Sequence, residues 1–108
     1  MHLIYPNRDA PEGSLAGPWN SPLGIGVGYA RRPGDEPHYH AHMRETFVVT
    51  SGSGEFMAGG YTRRIEAGAV GIVEPGEVHG WRSASRDFQI LVIHEPHVAR
   101  DTIIVAEV

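Results

Sequence analysis

Short stretches of alternating hydrophobic and polar residues follow one another along most of the chain. In the stretch 23–29, leucine, isoleucine, valine and tyrosine alternate with glycine, the pattern of a strand with one bulky and one bare face. The stretches 46–50, 69–73 and 88–93 are apolar and lie between turn-forming residues, and Gly59-Gly60 is a two-residue hairpin signal. Because no stretch has a helical period of useful length, the pattern predicts an all-β chain of short strands, arranged as a sandwich or barrel.

Both ends of the chain are predicted to be extended. Four prolines within residues 1–22 disfavour a helix, so this segment is expected to be an extended N-terminal arm of the same single domain as the barrel, residues 23–108. Residues 102–106 form a candidate last strand. Because exposed sheet edges have to be covered, we also expect a homodimer to which residues 1–22 and 100–107 contribute arms.

Composition narrows the possible function classes. A chain of 108 residues fits one domain with one modest core. The absence of cysteine excludes disulfides, thiolate zinc sites and cysteine nucleophiles, and the absence of lysine excludes Schiff-base chemistry and a P-loop. A net charge of −4 argues against a nucleic-acid partner. Since there is no signal pattern and no apolar run of membrane-spanning length, we expect a soluble cytoplasmic protein without a membrane partner.

Histidines are the main candidates for chemistry. Three of the seven, His38, His40 and His42, occupy alternate positions that share one face of an extended strand, and Glu45 follows them. Imidazole and carboxylate groups are both ligands of first-row transition metals. The separation of Glu45 from His40 is odd, so a turn or bulge must redirect the chain if the side chains are to converge. Two ligand pairs remain open, His38 with His40 and His40 with His42, and the first is preferred.

The spacing of these residues resembles the two sequence motifs of the cupin superfamily. As in the first motif, His38-x-His40 is followed after four residues by Glu45 and after six more by Gly52. Gly68, Gly76 and His79 fit the spacing of the second motif. Pro33-Gly34 lies before the first motif, with Gly34 two residues closer to His38 than is common, Pro75 lies one place late in the second motif, and Ser83 replaces its asparagine. The resemblance covers about residues 25–95, which is most of the chain.

This resemblance implies a fold, a metal site and a partner. The fold would be an antiparallel double-stranded β-helix, the jelly-roll barrel of cupins. The cofactor would be one divalent transition metal ion (Fe, Mn, Ni, Cu or Zn) held by His38, His40, Glu45 and His79. Open positions on that ion would receive water, oxygen or a small-molecule ligand or substrate.

Strand parity indicates which other side chains share the interior with these ligands. Phe47 and Val49 have the parity of Glu45, and Trp81 has the parity of the second-motif histidine, so all three are expected to line the pocket. His94, near the end of an apolar strand, is a candidate catalytic acid or base if it faces the cavity. The alternative is a histidine that faces outward and has no catalytic role.

The sequence leaves several functions open because one fold hosts many chemistries. The first is a metalloenzyme of the oxygenase or isomerase/lyase type that acts on a small oxygenated molecule. The second is a non-catalytic module that binds or senses a small ligand in a metal-stabilised barrel. In a third, the metal only holds the barrel together.

Overall fold

The chain folds into a sandwich of two five-stranded antiparallel sheets, which confirms the predicted all-β fold class. The computed structural model describes residues 1–32 and 36–105. None of these residues is helical, so the described chain has no helix long and apolar enough to cross a membrane. The strands are β1 (Glu12–Ala16), β2 (Gly26–Ala30), β3 (His38–His40), β4 (Arg44–Ser51), β5 (Ser53–Ala58), β6 (Tyr61–Glu66), β7 (Val70–Val73), β8 (His79–Ala84), β9 (Gln89–Glu95) and β10 (Thr102–Ile104).

Strands that are distant in sequence lie side by side in both sheets. The first sheet has the order β1-β2-β9-β4-β7, and the second has the order β10-β3-β8-β5-β6. This pairing places β3 beside β8 and β4 beside β9, and these four strands carry the predicted metal ligands and His94. The jelly-roll topology therefore gathers residues from separate parts of the sequence in one region between the sheets.

Aromatic and branched side chains fill the space between the sheets. Alternate residues of β4 point inward, and Phe47 and Val49 are each 1 % exposed. The ring of Phe47 packs against Phe56 and Trp81, with centroids 4.9 and 5.2 Å apart. We call this cluster the aromatic core; its members are Phe47, Val49, Phe56, Val73, Trp81, Phe88 and Ile90.

The N-terminal segment is more structured than a plain extended arm. Within residues 1–22, β1 pairs with β2 and forms an edge strand of the first sheet. The amide of Asn7 donates to the Tyr29 hydroxyl at 3.1 Å, and the Arg31 guanidinium donates to the Asn7 carbonyl oxygen at 2.6 Å. The segment is thereby attached to its own sheet. At the other end, β10 covers three residues of the predicted strand 102–106, whose last residue lies outside the described part.

A substitution on β7 tests how tightly the core meets the edge of the first sheet. Gly71 is the register partner of Phe47, and a Cβ at this position would overlap the phenyl ring. We expect Gly71→Ala to lower the free energy of unfolding by about 1–3 kcal/mol through overpacking, measured by urea denaturation. Gly24→Ala is the matched control, because a Cβ there meets no atom within 4 Å. Equal destabilisation by both variants would contradict this account of the core.

Candidate metal centre

Three histidines and one glutamate converge between the sheets. His38 and His40 lie on β3, Glu45 lies on β4, and His79 lies on β8 as the register partner of His38. One potential ligand atom from each side chain lies within 4.8 Å of the others. His40, Glu45 and His79 are buried, and His38 is half-buried. Of the two histidine pairs left open by the sequence, the structure joins His38 and His40 to the glutamate, whereas His42 is exposed.

A turn between β3 and β4 accounts for the odd spacing between His40 and Glu45. The strand ends at His40, and the backbone N–H groups of residues 41–43 donate to the Asp101 carboxylate at 3.0, 2.8 and 2.8 Å. Burial would raise the pKa of the Asp101 carboxyl, but these three donors outweigh it and lower the pKa. The carboxylate therefore stabilises the turn that redirects the chain toward Glu45.

Backbone carbonyl groups determine how the three histidines present their rings. In each ring, Nδ1 lies within hydrogen-bond distance of a carbonyl oxygen. The pairs are His38 with Glu36 at 3.0 Å, His40 with Asp101 at 3.1 Å, and His79 with Glu77 at 2.9 Å. Because a carbonyl oxygen can only accept, each Nδ1 carries the hydrogen. In the neutral ring, the lone pair therefore lies on Nε2.

Nε2 of His79 is buried without a hydrogen-bond partner among the described residues. It lies 3.6 Å from Oε2 of Glu45, which is too far for a hydrogen bond. A buried polar atom is normally satisfied by protein, water or an ion. A divalent metal ion would satisfy this nitrogen, and three imidazoles with one carboxylate are a suitable ligand set for a first-row transition metal. The residues present therefore fit the implied metal.

The glutamate is a buried negative charge among imidazoles. Burial would raise the pKa of the Glu45 carboxyl, but the surrounding imidazoles, foremost His40 with its Nε2 3.1 Å from Oε1, hold this pKa well below its ordinary value. Burial would likewise lower the pKa of His40, yet the protonated ring gains a hydrogen bond from Nε2 to Glu45, which raises the pKa. Burial prevails at His38, whose pKa is lowered. Glu45 is therefore ionised, the state in which a carboxylate binds a metal.

His94 reaches the same carboxylate from β9. It is the register partner of Glu45, and its Nε2 donates to Oε1 at 2.9 Å. Because the carboxylate only accepts, Nε2 carries the hydrogen and Nδ1 the lone pair. Unlike the other three rings, His94 makes no Nδ1 hydrogen bond with the described residues. Of the two orientations that the sequence left open, the structure has the inward one, and His94 lines the cavity.

A cavity of about 610 Å³ adjoins the cluster. Trp81 lines it, as parity predicted, together with the apolar side chains of Ile90 and Val92. The same prediction is wrong for Phe47 and Val49, which point inward but do not line the cavity. They lie in the aromatic core, whereas Trp81 and Ile90 belong to both the core and the cavity wall.

Several residues at the site were not predicted from the sequence, among them Asp101, Trp19 and His97. Asp101 holds the turn before Glu45, and Trp19 and His97 line the cavity with their ring centroids 5.0 Å apart. Each depends on a contact across the fold, for which strand parity and motif spacing carry no signal. The one hint in the sequence was Asp101, which directly precedes the apolar residues 102–106. A carboxylate that becomes buried there needs hydrogen-bond donors.

Known proteins are related to the chain in sequence. A family model described as a cupin domain matches residues 29–94. An uncharacterized protein of Aquifex aeolicus (strain VF5) is 35% identical over 60 residues, which cover 56% of this chain and 50% of that protein. The chain thus spans about half the length of this curated relative.

Solved structures share the fold at low sequence identity. KdgF from Halomonas sp. has a TM-score of 0.72 at 15% identity and covers 92% of this chain and 97% of its own. A cupin 2 conserved barrel domain protein from Salinispora arenicola CNS-205 has a TM-score of 0.69 at 17% identity, with 87% of each chain covered. The Streptomyces nucleoside dehydratase Pac13 has a TM-score of 0.70 at 15% identity, with 91% and 81% covered. These likenesses confirm the cupin-type barrel.

Proposed function

The chain belongs to the cupin domain family, and from this premise we propose that it binds one divalent transition metal ion through His38, His40, Glu45 and His79. The observation that carries the proposal is the common Nδ1 arrangement. Three backbone carbonyls leave three Nε2 lone pairs available, and that of His79 is buried without a partner among the described residues. Hydrogen bonds of this kind orient histidine ligands in metal sites. The ligand set admits Fe, Mn, Ni, Cu or Zn.

We further propose that the site performs isomerase or lyase chemistry on a small oxygenated molecule. When bound, the metal supplies Lewis acidity toward a substrate oxygen. The ionised Glu45 offsets part of the 2+ charge. Trp81, Ile90 and Val92 form an apolar wall that keeps water away from the reacting part of the substrate.

His94 is the proposed acid/base group. Its Nδ1 bears the lone pair because Nε2 donates to Glu45. In an elimination, Nδ1 accepts a proton from carbon, the C–H electron pair forms the new double bond, and the leaving group departs with its own bonding pair. In an isomerisation, the same nitrogen returns the proton to a neighbouring atom. Elimination and isomerisation need an acid/base group of this kind, whereas oxygenation does not. One structural neighbour, Pac13, is a nucleoside dehydratase.

Metal content tests the ligand set. We expect about one transition metal ion per chain after reconstitution and gel filtration, measured by elemental mass spectrometry. His79→Ala removes a buried ligand and should lose most of the metal. His42→Ala is the matched control, since this exposed histidine lies in the same segment outside the cluster, and it should keep the metal. Circular dichroism checks that both variants fold; retention of metal by a folded His79→Ala would contradict the proposal.

Proton exchange tests the role of His94. We expect the metal-loaded protein in D₂O to exchange the α-proton of at least one member of a panel of small hydroxy-carbonyl compounds, followed by NMR. His94→Gln should keep its metal and slow the exchange by about 10²-fold or more, because it removes the base. His2→Gln, an exposed histidine, should exchange at the wild-type rate. Exchange that survives in His94→Gln would disprove the assignment.

A binding or sensing module is the second candidate function. The apolar part of the wall, formed by Trp81, Ile90 and Val92, favours it, since apolar and aromatic side chains are typical of sites that hold a small ligand. Panel compounds that bind the metal-loaded protein without exchange or conversion would support this module over the enzyme.

We also propose that the protein is a homodimer. On the outer face of the first sheet, Val48 lies beside Val70 and Leu91 in register, and the next row contains Ile72 and Ile93. Val70 and Ile72 lie on the edge strand β7 and are 62% and 61% exposed. Exposed apolar side chains at a sheet edge favour association with another surface.

Light scattering after size-exclusion chromatography tests the dimer. At micromolar concentration we expect about twice the chain mass of 11.8 kDa. Ile72→Arg should shift the protein to the monomer, because it places a charge in the contact. Tyr61→Arg is the control, since this residue is also exposed but lies in the second sheet. A monomeric wild-type protein would refute the proposal.

A further inference from the structure

One wall of the cavity holds an exposed tryptophan that the proposed chemistry does not use. Trp19 lines the cavity and is 54% exposed. Tryptophan is mostly buried in folded proteins, so an exposed indole in a concave site requires an explanation. Ligand pockets are characteristically lined by aromatic side chains. The contacts around Trp19 hold the indole in a position to receive a ligand.

The loop 17–21 fixes the position of the indole. The side-chain oxygen of Asn20 accepts a hydrogen bond from the Gly17 amide at 2.9 Å. The Gly17 carbonyl oxygen in turn accepts from the amides of Asn20 and Ser21 at 3.1 and 2.9 Å. A Cβ at Gly17 would overlap the six-membered ring of Trp19, so the ring packs directly on the glycine backbone. Such preorganisation reduces the entropy lost when a ligand binds.

His97 extends this aromatic surface toward the proposed acid/base residue. Its ring meets Trp19 edge-on, with an interplanar angle of 72°. The His97 amide donates to the Gly24 carbonyl oxygen at 2.7 Å, and its ring packs over Gly26, where a Cβ would come within 2.9 Å of Nδ1. Gly26 is the register partner of His94. Aromatic surface therefore runs along one wall from Trp19 to His94.

We propose that Trp19 is a binding subsite for a flat ring. The ligand would then carry an oxygen-donor group at one end and an aromatic or heteroaromatic ring at the other. This inference rests on the proposed function, which provides the oxygen-binding end. Contact between two aromatic rings adds to the free energy gained from burying their surface. A cavity of about 610 Å³ has room for both ends of such a molecule.

Three hydroxamates test the metal-binding end and the ring-binding end of the site separately. Acetohydroxamate, benzohydroxamate and 2-naphthohydroxamate share one metal-binding group with two oxygens and differ in the ring. Their dissociation constants are measured by calorimetry on the metal-loaded wild-type protein and on Trp19→Ala, Trp19→Phe and Tyr61→Ala. Tyr61→Ala removes an aromatic residue that is 76% exposed and does not line the cavity, and serves as the matched control. Metal content is measured for every variant.

We expect the aryl hydroxamates to bind wild type about 10-fold more tightly than acetohydroxamate. Trp19→Ala should weaken the aryl compounds by about 5–10-fold and leave acetohydroxamate unchanged, and Trp19→Phe should keep most of the aryl affinity. An aryl preference that survives in Trp19→Ala, or an equal loss for all three compounds, would overturn the subsite. If acetohydroxamate itself fails to bind the metal-loaded protein, the proposed function fails, and the subsite with it.

Discussion

The buried carboxylate of Glu45 is the constraint on which the rest of the site depends. The residue is 7% exposed, and an ionised group buried to this extent needs partners that replace its hydration. Nε2 of His94 donates to its Oε1 from the first sheet, and Nε2 of His40, on the second sheet, lies 3.1 Å from the same oxygen and donates when that ring is protonated. Opposed sheets thus have to meet at one side chain. Nε2 of His79 lies too far away for a hydrogen bond to this carboxylate, and the proposed metal ion would give that nitrogen a partner.

A second carboxylate makes this geometry possible. Asp101 comes from the segment before β10, yet it accepts three backbone N–H groups of the turn after β3, and its own carbonyl oxygen holds Nδ1 of His40. One residue therefore sets both the direction of the chain after His40 and the orientation of that ring. Residues on strands, supported by hydrogen bonds of this kind, hold a site more precisely than side chains on unsupported loops.

The cavity has two chemically different parts, the cluster of histidines with Glu45 and the aromatic surface of Trp19 and His97. In the proposed function the first part carries the chemistry and the second the specificity. The four candidate ligands and His94 lie on strands whose register is determined by the two sheets. Trp19 and His97 lie outside the strands, in segments attached by backbone hydrogen bonds. Function on a shared fold is decided by such additions to the scaffold.

Alternation within the local sequence predicted the all-β fold, because strand parity and turns are properties of neighbouring residues. Parity left two histidine pairs open, and the resemblance to the cupin motifs singled out His38, His40, Glu45 and His79, the four side chains that converge in the structure. Only the tertiary structure decided that His94 faces inward, that Phe47 and Val49 belong to the core, and that Asp101 and Trp19 belong to the site. These outcomes depend on which strands from distant parts of the chain become neighbours. Strand parity predicts which face of a strand a side chain occupies, but it does not predict which residues of other strands pack against that face.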